Sequence, residues 1–163
     1  MGLDSWLEIH APGYDRLSHE ERTEIKDFAL LWSLFESRVL NENASTVRIL
    51  DAVTLLRTQN RLNIDPFAAP IAYFFARYYD GENFTPYFAG LQLRNNDQPE
   101  LVKQVLSKQV VDDASTLATL LIIIYRLRNN LLHGHKWSYE IRGQRPNFEN
   151  ANAVLMAYIA NFS

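Results

Sequence analysis

The stretch from Ser18 to Leu40 constrains this chain more than any other. Ser18-His19-Glu20-Glu21 has the form of a capping box, in which a serine oxygen accepts from the backbone three residues on and a glutamate reaches back. Ile25, Phe28, Ala29, Trp32, Phe35 and Val39 then recur at the three- and four-residue spacing of a single helix face. A helix of that length with one apolar stripe has to be covered by other elements. The rest of the chain offers helices for the purpose, because no credible alternating apolar and polar run predicts a strand.

Ser45 or Thr46 caps a second predicted helix through "VRILDAVTLLRTQN", and Asp65-Pro66 opens a third, "FAAPIAYFFARYY", stopped by Asp80-Gly81. "ENFTPYFAGLQLRNNDQ" contains too many breakers for a long element and predicts a loop with a short helical turn. A fourth helix is predicted over "PELVKQVLSKQV" and a fifth from Asp112-Asp113 to about Leu132, with Gly134 as its terminator. The last is "FENANAVLMAYIANF". The expectation is an all-α, single-domain helical bundle of about five to six helices over residues 1–163, with no repeat or linker dividing it.

Composition removes several kinds of chemistry. With no cysteine there is no disulfide framework, thiolate zinc site or cysteine nucleophile. His133-Gly134-His135 has no acids at ligand spacing, and neither phosphate-cradling glycine motifs nor a Ser/His/Asp signature occurs, so neither metal nor cofactor is expected. The apolar run around Leu120 to Tyr125 is too short to span a bilayer, and "MGLDSWLEIH" lacks a basic region followed by an apolar one. The expected location is therefore cytoplasmic, without membrane association.

A net charge of −3 argues against coating nucleic acid by bulk attraction, but the charge is unevenly placed. Between Arg126 and Arg145 five basic residues face one acid, a local +4 that leaves −7 on the remainder. That basic segment contains "RNNLLHGHK", residues 128–136.

On the fifth helix Leu117, Leu121, Ile124 and Tyr125 form a stripe that Arg128 continues, so a guanidinium is expected to follow the core face. It needs a carboxylate or a wet cleft. Glu36 is the candidate partner, lying on the first stripe four residues after Trp32 and three before Val39. His133 lies roughly 140° around the helix from Arg128 and about 7.5 Å along it, so the two cannot converge within one regular helix. A twofold-related copy would bring two arginines and two histidines to one cleft.

"RNNLLHG" resembles the R-N-x-x-x-H signature of the HEPN superfamily, the higher-eukaryote and prokaryote nucleotide-binding domains, in which the motif closes a long helix of an all-α bundle. "LLWSLFESRV" around Glu36 is similar to the first-helix segment of some prokaryotic members. The resemblance implies a HEPN-like fold and a metal-independent endoribonuclease acting as a homodimer, as a toxin or defence (anti-phage) effector. An antitoxin or an effector-complex protein would be its controlling partner. Under it, His133 transfers protons, Arg128 binds and stabilises the phosphate, Asn129 orients one of them or holds a phosphate oxygen, and Glu36 completes the catalytic set. Asn130, His135, Lys136 and Arg142 are the candidate RNA-binding residues beside it. The alternative is a non-catalytic HEPN-like module that binds nucleotide, RNA or a regulatory partner in the same cleft.

Overall fold

The capping box closes as expected. In the computed structural model, which describes residues 1–133 and 143–162, the Ser18 hydroxyl accepts from the Glu21 amide at 3.1 Å and the Glu21 carboxylate accepts from the Ser18 amide at 2.9 Å. These bonds start helix α2, His19–Val39, in the second position because a shorter helix, α1, Leu3–His10, precedes it. Phe28, Trp32 and Phe35 of the α2 stripe are buried; Ala29 is exposed beside them.

Helix α3, Thr46–Thr58, begins where Ser45 accepts from the Arg48 amide. Asp65–Phe67 form a 3-10 turn leading into α4, Ala68–Tyr78, and Pro86–Ala89 form the short α5. A second 3-10 turn, Asn95–Asp97, precedes α6, Pro99–Leu106, which stops four residues short of the predicted helix. Helix α7, Asp113–Leu132, is capped by Asp112, whose carboxylate accepts from the Ser115 amide at 2.9 Å. The last helix, α8, Arg145–Phe162, begins three residues earlier than predicted, with Pro146 accommodated in its first turn.

The described residues thus form an all-α domain of eight helices and no strand, more than the five to six expected, because α1 and the one-turn α5 add to the six long segments. Helix α1 shows no buried residue, which is why no core periodicity announces it. It is tied to α2 by Asp4 with Lys26 at 2.7 Å and by Glu8 with Arg22 at 2.7 Å, and the Tyr14 hydroxyl donates to Asp4 at 2.6 Å. No helix among the described residues is long and apolar enough to cross a membrane.

The core has two joined parts. Helix α8 packs on α2 and α4, bringing Phe28 against Phe148 and Phe35 edge-on to Tyr158, with ring centroids 5.1 and 5.2 Å apart. Helix α7 packs on α3 and α6 and is buried nearly all round, from Thr116 to Ile124 without a break. This corrects the narrow stripe expected for it: a β-branched and leucine-rich helix enclosed by neighbours has no polar face until its last turns.

Candidate active site

Those last turns carry two arginines with different fates. Arg126, not Arg128, follows the core: it is 3% exposed, and its Nε donates to the Leu91 carbonyl at 3.1 Å. Its Nη1 lies 3.3 Å from Asp97, an ion pair too poorly aligned to be a hydrogen bond. Asp97 in turn accepts from the Thr46 hydroxyl at 3.0 Å and from the Arg94 amide at 2.8 Å. Burial pulls the Arg126 pKa below the ordinary arginine value, and the Asp97 charge opposes that pull. The "LRNNDQ" stretch at 93–98, part of the segment expected to be a loop with a short helical turn, therefore also supplies a core carboxylate.

Arg128 points into a partly open cleft. Its side chain is 26% exposed and that of Glu36 is 22% exposed, with Nη2 and Oε2 separated by 3.6 Å. Glu36 is itself held in place by donors: Trp32 Nε1 at 2.8 Å on one oxygen and the Ala44 amide at 3.2 Å on the other. The chain can return Ala44 to Glu36 because Asn41 and Glu42 both adopt left-handed backbone, with φ of 51° and 57°, after α2 ends. The Tyr125 hydroxyl donates to the Ala44 carbonyl at 3.3 Å, fastening that turn to α7. Glu36 is thus a fixed carboxylate, set by α2, the following turn and α7 together.

The guanidinium is less completely engaged. Nη1 donates to Asn129 Oδ1 at 3.0 Å, Nη2 is beyond hydrogen-bond range of Glu36, and Nε is buried without a partner. The Trp32 ring lies 5.8 Å from the guanidinium carbon, at the outer reach of a cation–π contact. Around these groups Ala29 and Ser33 of α2 and Leu131 and Leu132 of α7 wall a cleft of about 220 Å³, roomy enough to hold water. An arginine with donors to spare in such a cleft can take an anionic oxygen.

The structure brings Arg128, Asn129 and Glu36 together. Asn129 is buried, and its side-chain oxygen orients the guanidinium. His133 stands just beyond them as the C-cap of α7, exposed, with its amide donating to the Asn129 carbonyl at 2.9 Å; it is not among the residues lining the cleft. Asn130 departs from the role expected of it. It is 2% exposed and donates to the Gly90 and Leu91 carbonyls at 3.1 and 3.3 Å, so its amide anchors the loop after α5 and does not face the cleft. His135, Lys136, Arg142 and the terminator Gly134 lie outside the described residues.

Sequence reasoning missed Trp32 as the donor that holds Glu36. The signal was present, since an indole N–H and a carboxylate four residues apart on one helix lie within reach of each other. The Ala44 amide carried no such signal, because only the folded turn brings it back.

No family model matches this chain, and no curated protein or solved structure matches it. The resemblance to HEPN domains therefore stays with the residues that carry it, Arg128 to Gly134 with Glu36.

Proposed function

We propose that this chain is a metal-independent endoribonuclease of the HEPN type that works as a homodimer, as a toxin or defence effector. The observation that carries the reading is Arg128: a guanidinium oriented by Asn129 and Glu36 that lines a cleft open to solvent and whose Nη2 makes no hydrogen bond among the described residues. RNA brings its own nucleophile. The ribose 2'-oxygen attacks the adjacent phosphorus, the bond to the 5'-oxygen breaks, one proton leaves the 2'-hydroxyl and one reaches the departing oxygen. His133, exposed at the helix end, carries a proton, and Arg128 stabilises charge on the crowded phosphate. Lys136 and Arg142 follow in the same basic stretch and grip the flanking backbone. Because His133 does not line the Arg128 cleft of its own chain, a twofold partner supplies the missing group.

The experiment is cleavage of single-stranded RNA by the purified protein in EDTA, with product ends identified. Fragments with 2',3'-cyclic phosphate, DNA left intact, and loss of at least 10²-fold in rate for both His133→Ala and Arg128→Ala are expected. Cleavage that survives in the purified His133→Ala protein would remove the catalytic assignment. A protein that is monomeric at micromolar concentration would remove the shared cleft.

A second reading has an observation of its own. The ion pair to Glu36 and the bond to Asn129 already hold Arg128, and the histidine lies outside its cleft, as suits a module that binds an RNA or nucleotide phosphate without cutting it. Tight, salt-sensitive RNA binding weakened by Arg128→Ala, indifferent to His133→Ala and accompanied by no cleavage, would select that reading.

A further inference from the structure

Helix α2 is flanked by a second depression, on the side where it meets α8. Glu24, Asp27 and Leu31 line it from α2, and Glu149, Asn152 and Met156 line it from α8; the volume is about 420 Å³, larger than the Arg128 cleft. On both helices these residues follow an i, i+3, i+7 rhythm, so each rail extends for about 10 Å. Phe28 against Phe148 and Phe35 against Tyr158 show that the two helices run in the same direction. The carboxylates consequently gather at one end and the apolar side chains at the other. Leu30, 72% exposed, and Met156, 53% exposed, are large apolar groups in water, and Leu34 continues the surface beyond them.

The polar groups are incompletely matched. Glu149 pairs with Arg145 at 2.6 Å, whereas Asp27 has no hydrogen bond or ion pair among the described residues. Asn152 is 4% exposed and donates its amide nitrogen both to the Glu24 carbonyl at 3.1 Å and to the Glu24 carboxylate at 2.8 Å. Two acceptors fix which way that amide points, and its Oδ1 is left as a buried acceptor with no partner among the described residues. Among the described residues the groove thus has one cation, Arg145, for its three carboxylates at one end, and exposed apolar side chains at the other.

We propose that this groove receives a basic amphipathic helix of a partner protein. Arg or Lys in that helix lies over Glu24, Asp27 and Glu149, and aliphatic side chains at i+4 and i+7 cover Leu30, Leu31 and Met156. Charge selects this occupant over nucleic acid, because among the described residues three carboxylates stand against the single Arg145 and repel a phosphate backbone. The two parallel rails select a helix over an extended strand, since a third helix packs into the furrow between two others through residues at this spacing. The inference is independent of any reaction at Arg128, which lies on the opposite flank of α2.

The test uses the full chain and a displayed library of 18-residue helices whose exposed face is randomised among Arg, Lys, Glu, Leu and Ala. Panning is expected to enrich helices with Arg or Lys in one turn and Leu in the next two. The best of them, made as a peptide, should bind at least tenfold more weakly to Glu24→Gln/Asp27→Asn and to Met156→Glu, with RNA cleavage or binding by those variants unchanged. Amide shift mapping should place it along α2 and α8, including the Asn152 side chain. The proposal is overturned if no basic helix is enriched, or if the enriched peptide binds the groove variants as well as the native protein. It is also overturned if spermidine alone displaces the peptide by filling the acidic end as the tighter ligand. A native dimer dissociated by Leu30→Glu would assign the face to a second copy and overturn it too.

Discussion

Arg126 and Arg128 are two residues apart on α7, about 200° around the helix, and they meet opposite circumstances. Arg126 enters the core between α7 and the loop before α6, where it meets the Leu91 carbonyl and Asp97, the latter held in turn by Thr46. Arg128 enters a cleft between α7 and α2, where Glu36 stands a little too far for a hydrogen bond and water has access. Both arginines have a carboxylate beside them, and the pairing alone does not distinguish structure from function. Solvent does: a sealed guanidinium is committed to holding the fold, and an open one with a spare donor is available to a ligand.

The largest effect should come from breaking the sealed pair. Asp97→Ala leaves Arg126 buried and uncompensated and should cost about 3–5 kcal/mol, lowering the melting temperature by roughly 6 to 20 °C. Calorimetry showing a change below about 1 kcal/mol would mean that water reaches Arg126. Next comes Asn130→Ala, expected to cost about 1–3 kcal/mol because the Gly90 carbonyl loses its side-chain donor and the Leu91 carbonyl keeps only Arg126. If that variant instead changed only RNA binding or cleavage, Asn130 would return to the site.

On the open side the stability effect should be smaller and the functional effect larger. Glu36→Gln should change stability by no more than about 1 kcal/mol, since the pair is partly solvated and the amide oxygen can still accept from Trp32 or Ala44. RNA cleavage or binding should nevertheless fall as Arg128 loses its orientation. A double-mutant cycle for Arg128 with Glu36 that equalled the one for Arg126 with Asp97 would dissolve the contrast.

The half-exposed ion pair of Asp4 with Lys26, on α1, marks the small end of the range. Lys26 and then Tyr14, by hydrogen bonding, hold the Asp4 carboxyl below its ordinary value of 3.8. A depressed folded-state pKa gives a contribution that is present above pH 3.8 and lost as the pH falls through the lower folded value. Trp6 fluorescence should therefore be steady above that point and change below it as α1 detaches, with far-ultraviolet circular dichroism of the remaining helices little altered. Loss of all helices in one step would show that α1 is integral to the core.

Much of the architecture could be read along the chain because it depends on local rules. The Ser18 capping box, the Ser45 and Asp112 caps and the aromatic stripe of α2 each follow from neighbours within four residues. The proximity of Glu36 to Arg128 was also legible, as two charges each interrupting an apolar stripe. Helix α1 carries no apolar stripe because it buries no side chain fully, being held by charge pairs and the partly buried Leu7, and α6 ends earlier than its residues suggest. The functional roles at Arg128 and His133 come from the motif's resemblance to a family and from no local rule.

The sequence by itself determined where the helices start, which faces carry apolar side chains, and that a basic, asparagine-rich turn closes the longest buried segment. Only the tertiary structure decided which arginine is sealed, that Asp97 of the loop before α6 pairs with Arg126, that Asn130 serves a loop, and that Ala44 returns to fix Glu36. The reason is physical. A cap or a stripe is a relation between residues a few positions apart, whose geometry the helix repeat sets in advance. Burial and partnership of a side chain depend on which distant segment covers it, and that is settled only when the helices pack.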